Sequence, residues 1–122
     1  IIAATVTQLT EIPPTAFVLS FSDSSYFDEV NTARKTAQFL NINLKEVEVT
    51  QSDLLSQLES ALTHFEMPLI NFSGVAKYIL AKAASKEFSV VLTGEGGDEV
   101  FLGYDFFREE ENAQFLKYAG ED

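Results

Sequence analysis

Three short strand-like runs, Ala16–Phe21, Leu44–Val49 and Ser89–Thr93, are separated by stretches with helical spacing. This alternation constrains the fold more than any other feature, because strands alternating with helices indicate an α/β architecture built on a parallel sheet. Ala16-Phe17-Val18-Leu19-Ser20-Phe21 follows Pro13-Pro14, which removes backbone donors and breaks the preceding helix. Its continuous apolar character predicts a strand buried on both faces. In the second run Glu46 and Glu48 alternate with Lys45, Val47 and Val49, the pattern of a half-exposed strand at a sheet edge.

The helical stretches have their own signals. Residues 1–9 form the first. The second runs from Phe27 to Leu40, with Val30, Ala33, Ala37 and Leu40 on one stripe and Asp28 and Glu29 in its first turn. Thr50 opens the third with Asp53 three residues on, a variant of the capping box, and Leu54, Leu58, Ala61, Leu62 and Phe65 make its apolar face. After a loop at Glu66–Asn71, Ser73 is expected to cap a fourth helix to about Lys86. Its inward residues are Val75, Ala76, Ile79, Leu80 and Ala83. Ser89–Thr93 is expected as a third strand, and a last helix begins near Val100. The apolar start Ile1–Val6 has no capping residue before it, which predicts that the chain begins inside an element of a longer protein.

Composition narrows the chemistry. The 122 residues are 46% hydrophobic and 22% charged, ordinary for a globular domain. No apolar run approaches the roughly 20 residues of a membrane helix. The absence of cysteine excludes disulfides, zinc–thiolate sites and thiol nucleophiles. The single histidine, His64, excludes a histidine cluster. A net charge of −11 argues against nucleic-acid binding, which needs a basic footprint.

The best candidate site is Gly94-Glu95-Gly96-Gly97-Asp98-Glu99, directly after the third run and before a helix. In open α/β sheets ligands bind beyond the carboxyl ends of the strands. The glycines permit close backbone approach to an anion, yet Glu95, Asp98 and Glu99 would repel a phosphate unless a cation lay between. Hard oxygen ligands together with polyphosphate point to Mg²⁺. The alternative is a tight strand-to-helix turn with solvated acids. A dinucleotide fingerprint fails because Glu99 stands where glycine is needed, and no Gly-Lys pair exists for a Walker A loop. Asn71-Phe72-Ser73 matches a glycosylation sequon, but nothing indicates secretion.

Thr93-Gly94-Glu95-Gly96-Gly97-Asp98-Glu99-Val100-Phe101-Leu102-Gly103-Tyr104 resembles the S-G-E-G-(S/A)-D-E-(V/L)-F-G-G-Y motif of glutamine-dependent asparagine synthetases, a branch of the ATP pyrophosphatases. Phe17–Phe21 is similar to the family strand whose backbone meets adenine. Phe27-Asp28-Glu29 with Ala33-Arg34 resembles the family's next helix, and Glu66-x-Pro68 to Ser73 its D-x-P…D-P-S segment. The resemblance covers nearly the whole chain.

It implies a three-layer parallel sheet with helices on both faces, of the adenine nucleotide alpha hydrolase type and here incomplete, with residues 1–122 forming one partial synthetase domain. It also implies a reaction in which ATP activates the aspartate side-chain carboxylate as an adenylate, and ammonia from a separate glutaminase domain displaces AMP. ATP and Mg²⁺ are the implied cofactors and the cytoplasm the implied compartment. Asp98 then corresponds to a Mg²⁺ ligand and Glu95 to an acid beside the reacting centre that assists proton removal. Leu19, Thr93, Gly94, Gly96 and Gly97 correspond to nucleotide contacts, and Glu66, Asn71 and Ser73 to the substrate region.

Several departures qualify this. The family's S-G-G-x-D-S-S pyrophosphate loop, with the second metal ligand, is not among these residues and would stand before Ile1. A phosphate-binding lysine would lie past Asp122. Gly97 replaces serine or alanine, Leu102 and Ser20 replace glycine, and Asn71 replaces aspartate. The last change opens the choice of substrate, since relatives that close β-lactams or lasso peptides share the scaffold. A non-catalytic nucleotide-binding or protein-interaction module is the alternative from another class. Without the family's central strand, two sheet edges are left open. The expectation is that they close by pairing Ala16–Phe21 with Ser89–Thr93, or by association or strand exchange with another copy.

Overall fold

The computed structural model describes residues 1–22 and 29–104. The element order is α1 (Ile2–Leu9), β1 (Thr15–Phe21), α2 (Val30–Leu40), β2 (Asn43–Val49), α3 (Gln51–Phe65), α4 (Ser73–Ala84) and α5 (Gly97–Phe101). The chain divides into two compact units, Ile1–Val91 and Leu92–Asp122. Phe27 and Asp28, expected to start the second helix, lie outside the described residues, as does the acidic tail from residue 105.

The first unit is a mixed α/β assembly on a small parallel sheet. β1 and β2 pair in parallel, from Thr15 opposite Asn43 to Phe21 opposite Val49. The α2 crossover between them meets the requirement that parallel neighbours be joined by a long connection. α2 and α4 each pack on both strands, α3 packs on α4, and α1 touches α2. The buried core is small and aliphatic: Val30, Ala37, Val49, Ala61, Val75, Ala76 and Ala84. Every one of them was placed on an expected helix or strand, and Val30, Ala37, Ala61, Val75 and Ala76 lie on the expected inward stripes.

Local signals explain the boundaries. At the start of α3 the Thr50 hydroxyl accepts the Asp53 N–H at 3.1 Å while Asp53 Oδ2 accepts the Thr50 N–H at 2.9 Å, closing the capping box. α2 ends at Asn41, which adopts a left-handed conformation with φ 53°. Ile42 N–H then reaches Ala37 O at 3.0 Å and Asn41 N–H reaches Gln38 O at 3.2 Å, a Schellman ending in which asparagine replaces the usual glycine. α4 starts differently from expectation. Ser73 is its first helical residue, not its cap, and the Asn71 side chain accepts the Ser73 N–H at 2.9 Å in an Asx turn.

Two further expectations are corrected. Ser89–Thr93 is not a strand: the sheet has two strands among the described residues, and Val90, Val91 and Leu92 are 79%, 52% and 69% exposed. The direct pairing of Ala16–Phe21 with Ser89–Thr93 is therefore not present. β1, in turn, is half-buried along its whole length instead of sealed on both faces, because it has one strand neighbour instead of two. A strand forms only when another strand supplies hydrogen bonds, so an apolar run without that partner stays extended and unpaired. No helix among the described residues is long and apolar enough to cross a membrane.

Candidate active site

The candidate turn lies wholly within the second unit. Thr93 and Gly94 lie outside any helix or strand, and Gly97 N–H closes on Gly94 O at 3.0 Å. Gly96, the third residue of this four-residue turn, has φ 83° and ψ −3°. Those are the values of the third position of a type II turn, where glycine is required. The turn aims the chain directly into α5, whose first turn carries Asp98 and Glu99. Val100 N–H binds Gly96 O at 3.2 Å, so the same glycine ends the turn and starts the helix.

The exit of α5 folds back on its entry. Leu102 is left-handed, with φ 54° and ψ 45°, and Gly103 N–H binds Asp98 O at 2.9 Å. Leu102 thus holds, with a side chain, a backbone conformation that suits the glycine of the asparagine synthetase motif. The next residue, Tyr104, donates its phenol to Glu99 Oε1 at 2.5 Å. That hydrogen bond, followed by loss of solvent and the charges of Glu99, Asp98 and Glu95, holds the Tyr104 phenol above its ordinary range. The three acids therefore act on one neighbourhood. Gly103 and Tyr104 belong to the motif, but their spacing alone did not reveal that they close on Asp98 and Glu99.

Glu95, Gly96, Gly97 and Asp98 are brought together by the turn, with Thr93 and Gly94 leading into it. Among the described residues no three His, Asp or Glu side chains gather as a metal-binding group. The arrangement around Asp98 nevertheless fits Mg²⁺, which takes one or two protein carboxylates and completes its shell with phosphate oxygens and water. Asp98 is exposed, and its Oδ1 occupies the space that a Cβ on Gly103 would take.

The remaining predicted residues lie in the first unit. Leu19 is in β1 opposite Val47. Glu66 ends α3 in a left-handed conformation with φ 55°, and it lines an open groove of about 520 Å³ with Glu59, Ser60, Thr63, His64 and Tyr78. The His64 ring, in the last turn of α3, lies 5.5 Å from that of Tyr78 in α4. Asn71 and Ser73 form the Asx turn before α4, next to a fully exposed Ile70.

The asparagine synthase family model matches residues 1–119. The chain belongs to the asparagine synthase family. It is similar to "Amidase chyE" of Penicillium rubens, with 40% identity over 93 residues, covering 75% of this chain and 14% of that protein. It is 37% identical over 93 residues to "Amidase chry2" of Gibberella zeae, covering 75% of this chain and 14% of that protein. Glutamine-hydrolyzing asparagine synthetase 1 of Bacillus subtilis is 38% identical over 84 residues, covering 68% of this chain and 13% of that protein. The chain thus spans 13–14% of the length of these asparagine synthase relatives.

Proposed function

We propose that the protein carrying these residues is an ATP-dependent ligase of the asparagine synthetase type, to which residues 1–122 contribute part of the synthetase domain. The observation that supports this best is the family match over residues 1–119, with the Thr93–Tyr104 motif forming one turn and helix entry around Asp98. In this reading an aspartate side-chain oxygen attacks the α-phosphorus of ATP and pyrophosphate leaves. Ammonia, delivered by a glutaminase domain elsewhere in the parent chain, then attacks the activated carbonyl. AMP leaves with the C–O electron pair and the nitrogen gives up a proton.

The roles follow from chemistry. Leu19 offers apolar surface and backbone to the nucleotide. Thr93, Gly94, Gly96 and Gly97 offer backbone where no side chain obstructs approach, and Cβ atoms on the three glycines would meet nothing within 4 Å. Asp98 would hold Mg²⁺, which when bound neutralises the charge of departing pyrophosphate. Glu95 is a carboxylate suited to accept the proton lost by the attacking nitrogen. Glu66, Asn71 and Ser73 form the proposed substrate region, and the cytoplasm is the proposed compartment.

Aspartate-dependent exchange of pyrophosphate into ATP tests this in the parent protein. Asp98→Asn should abolish exchange. Glu95→Gln should keep exchange and lose amide formation. Absence of exchange with any carboxylate would overturn the reading, and robust exchange by residues 1–122 alone would refute the need for the rest of the domain. A second reading, an adenylating relative acting on a carboxylate other than aspartate, is favoured by Asn71 in place of the motif's aspartate. Exchange supported by another carboxylic acid but not by aspartate would select it.

A further inference from the structure

Gly103 has no backbone reason to be glycine. Among the described glycines Gly96 alone has a positive φ, so no left-handed conformation calls for glycine at position 103. What excludes a side chain is Asp98: a Cβ at position 103 would collide with Asp98 Oδ1, stand 3.0 Å from its Cγ and press more lightly on its Cα at 3.1 Å. The main chain strengthens the coupling, since Gly103 N–H binds Asp98 O at 2.9 Å and Asp98 O also accepts the Leu102 N–H.

From this geometry we infer that Gly103 is the positioning residue for Asp98, its missing side chain setting the direction in which the carboxylate points. The backbone around Asp98 is anchored through its own carbonyl, so the carboxylate is the part free to turn. A methyl group at position 103 would displace it to another rotamer, and the backbone of α5 at Asp98 would have to give by only a few tenths of an ångström. The functional half of this inference rests on Asp98 being the metal ligand. The steric contact between Gly103 and Asp98 is independent of the metal. Groups that orient a metal ligand typically change metal affinity by about 10–100-fold when altered.

The test is a double-mutant cycle in the parent protein, with Gly103→Ala, Asp98→Ala and the double variant, read by thermal melting and by the Mg²⁺ dependence of pyrophosphate exchange. Gly103→Ala should lower the melting temperature when Asp98 is present and lower it clearly less when position 98 is alanine, since only the backbone contact at the Cα then remains. It should also raise half-saturating Mg²⁺ roughly tenfold, with turnover at saturating Mg²⁺ largely kept, a split that general destabilisation would not produce. If Gly103→Ala does not fold, the double variant should fold. An equal melting cost in both backgrounds, or failure of the double variant to recover, would overturn the positioning role. So would an unchanged Mg²⁺ dependence in Gly103→Ala when Asp98→Ala abolishes exchange. If Asp98→Ala leaves exchange and its Mg²⁺ dependence intact, the proposed metal role falls instead, and the melting cycle still decides the steric coupling.

Discussion

The Arg34 guanidinium in α2 grips both carboxylate oxygens of Glu46 in β2, Nε to Oε1 and Nη2 to Oε2, at 2.6 Å each. A planar fork meeting a carboxylate in this way is the strong form of ion pair, although both side chains remain partly exposed and salt will weaken it. It ties the crossover helix to the strand that follows it. The hydrogen bonds from Arg34, and then its charge, hold the Glu46 carboxyl below its ordinary pKa of 4.5.

Because that pKa is lowered on folding, the interaction stabilises the protein above pH 4.5 and is lost as pH falls through the folded-state value. Glu46→Gln should therefore melt slightly lower than wild type at neutral pH, with the two curves converging in acid. Melting temperatures measured against pH, at low and high salt, check both the sign and the screening. A gap that widened as the pH dropped would contradict the assignment.

Thr50→Ala should cost about 1 kcal/mol, the usual value of a lost N-cap. It removes the hydroxyl that accepts the Asp53 N–H at 3.1 Å and donates to Asp53 Oδ2 at 2.6 Å. The hydroxyl's hydrogen bond to Oδ2, followed by that of the Thr50 N–H, keeps the Asp53 carboxyl below its ordinary pKa of 3.8, so the hydroxyl's contribution is present above that pH and fades below it. Urea unfolding at pH 7 and at pH 3 should show the larger deficit at pH 7.

Gly96 and Gly97 are adjacent, yet their alanine variants should behave oppositely. At Gly96 the φ of 83° is the obstacle, and alanine should destabilise the turn by about 1 kcal/mol. Gly97 lies inside α5 without a positive φ and with open space around it, so alanine should be neutral or favour the helix by up to about 1 kcal/mol. Amide exchange at Gly97 and Val100 reports both effects locally.

Leu102→Gly should stabilise the end of α5 by about 1 kcal/mol, because it relieves a left-handed φ of 54° on a residue with a Cβ. Slower amide exchange at Gly103, whose N–H is bound to Asp98 O, is the expected readout. Faster exchange would mean that packing by the leucine side chain outweighs the backbone strain.

What could be read in advance was local. Helix hydrogen bonds close within one segment, and caps act over three residues. The sequence therefore determined α3 with its Thr50–Asp53 box, the Asn41 ending of α2, the Val and Ala stripes of the core and the turn at Gly94–Asp98. β1 and β2 were legible too, one from its apolar run and the other from alternation. Tertiary structure alone decided whether a strand-like run finds a partner. Ser89–Thr93 has as strong a strand composition as Ala16–Phe21, but a strand's hydrogen bonds lie on another segment, and among the described residues only β1 and β2 supply them to each other. The same holds at the site. Sequence singled out Glu95 and Asp98, with Glu99 beside them in the same turn. Only the return of the chain through a left-handed Leu102 shows Gly103 and Tyr104 closing on Asp98 and Glu99, because that contact depends on a backbone reversal that no periodicity encodes.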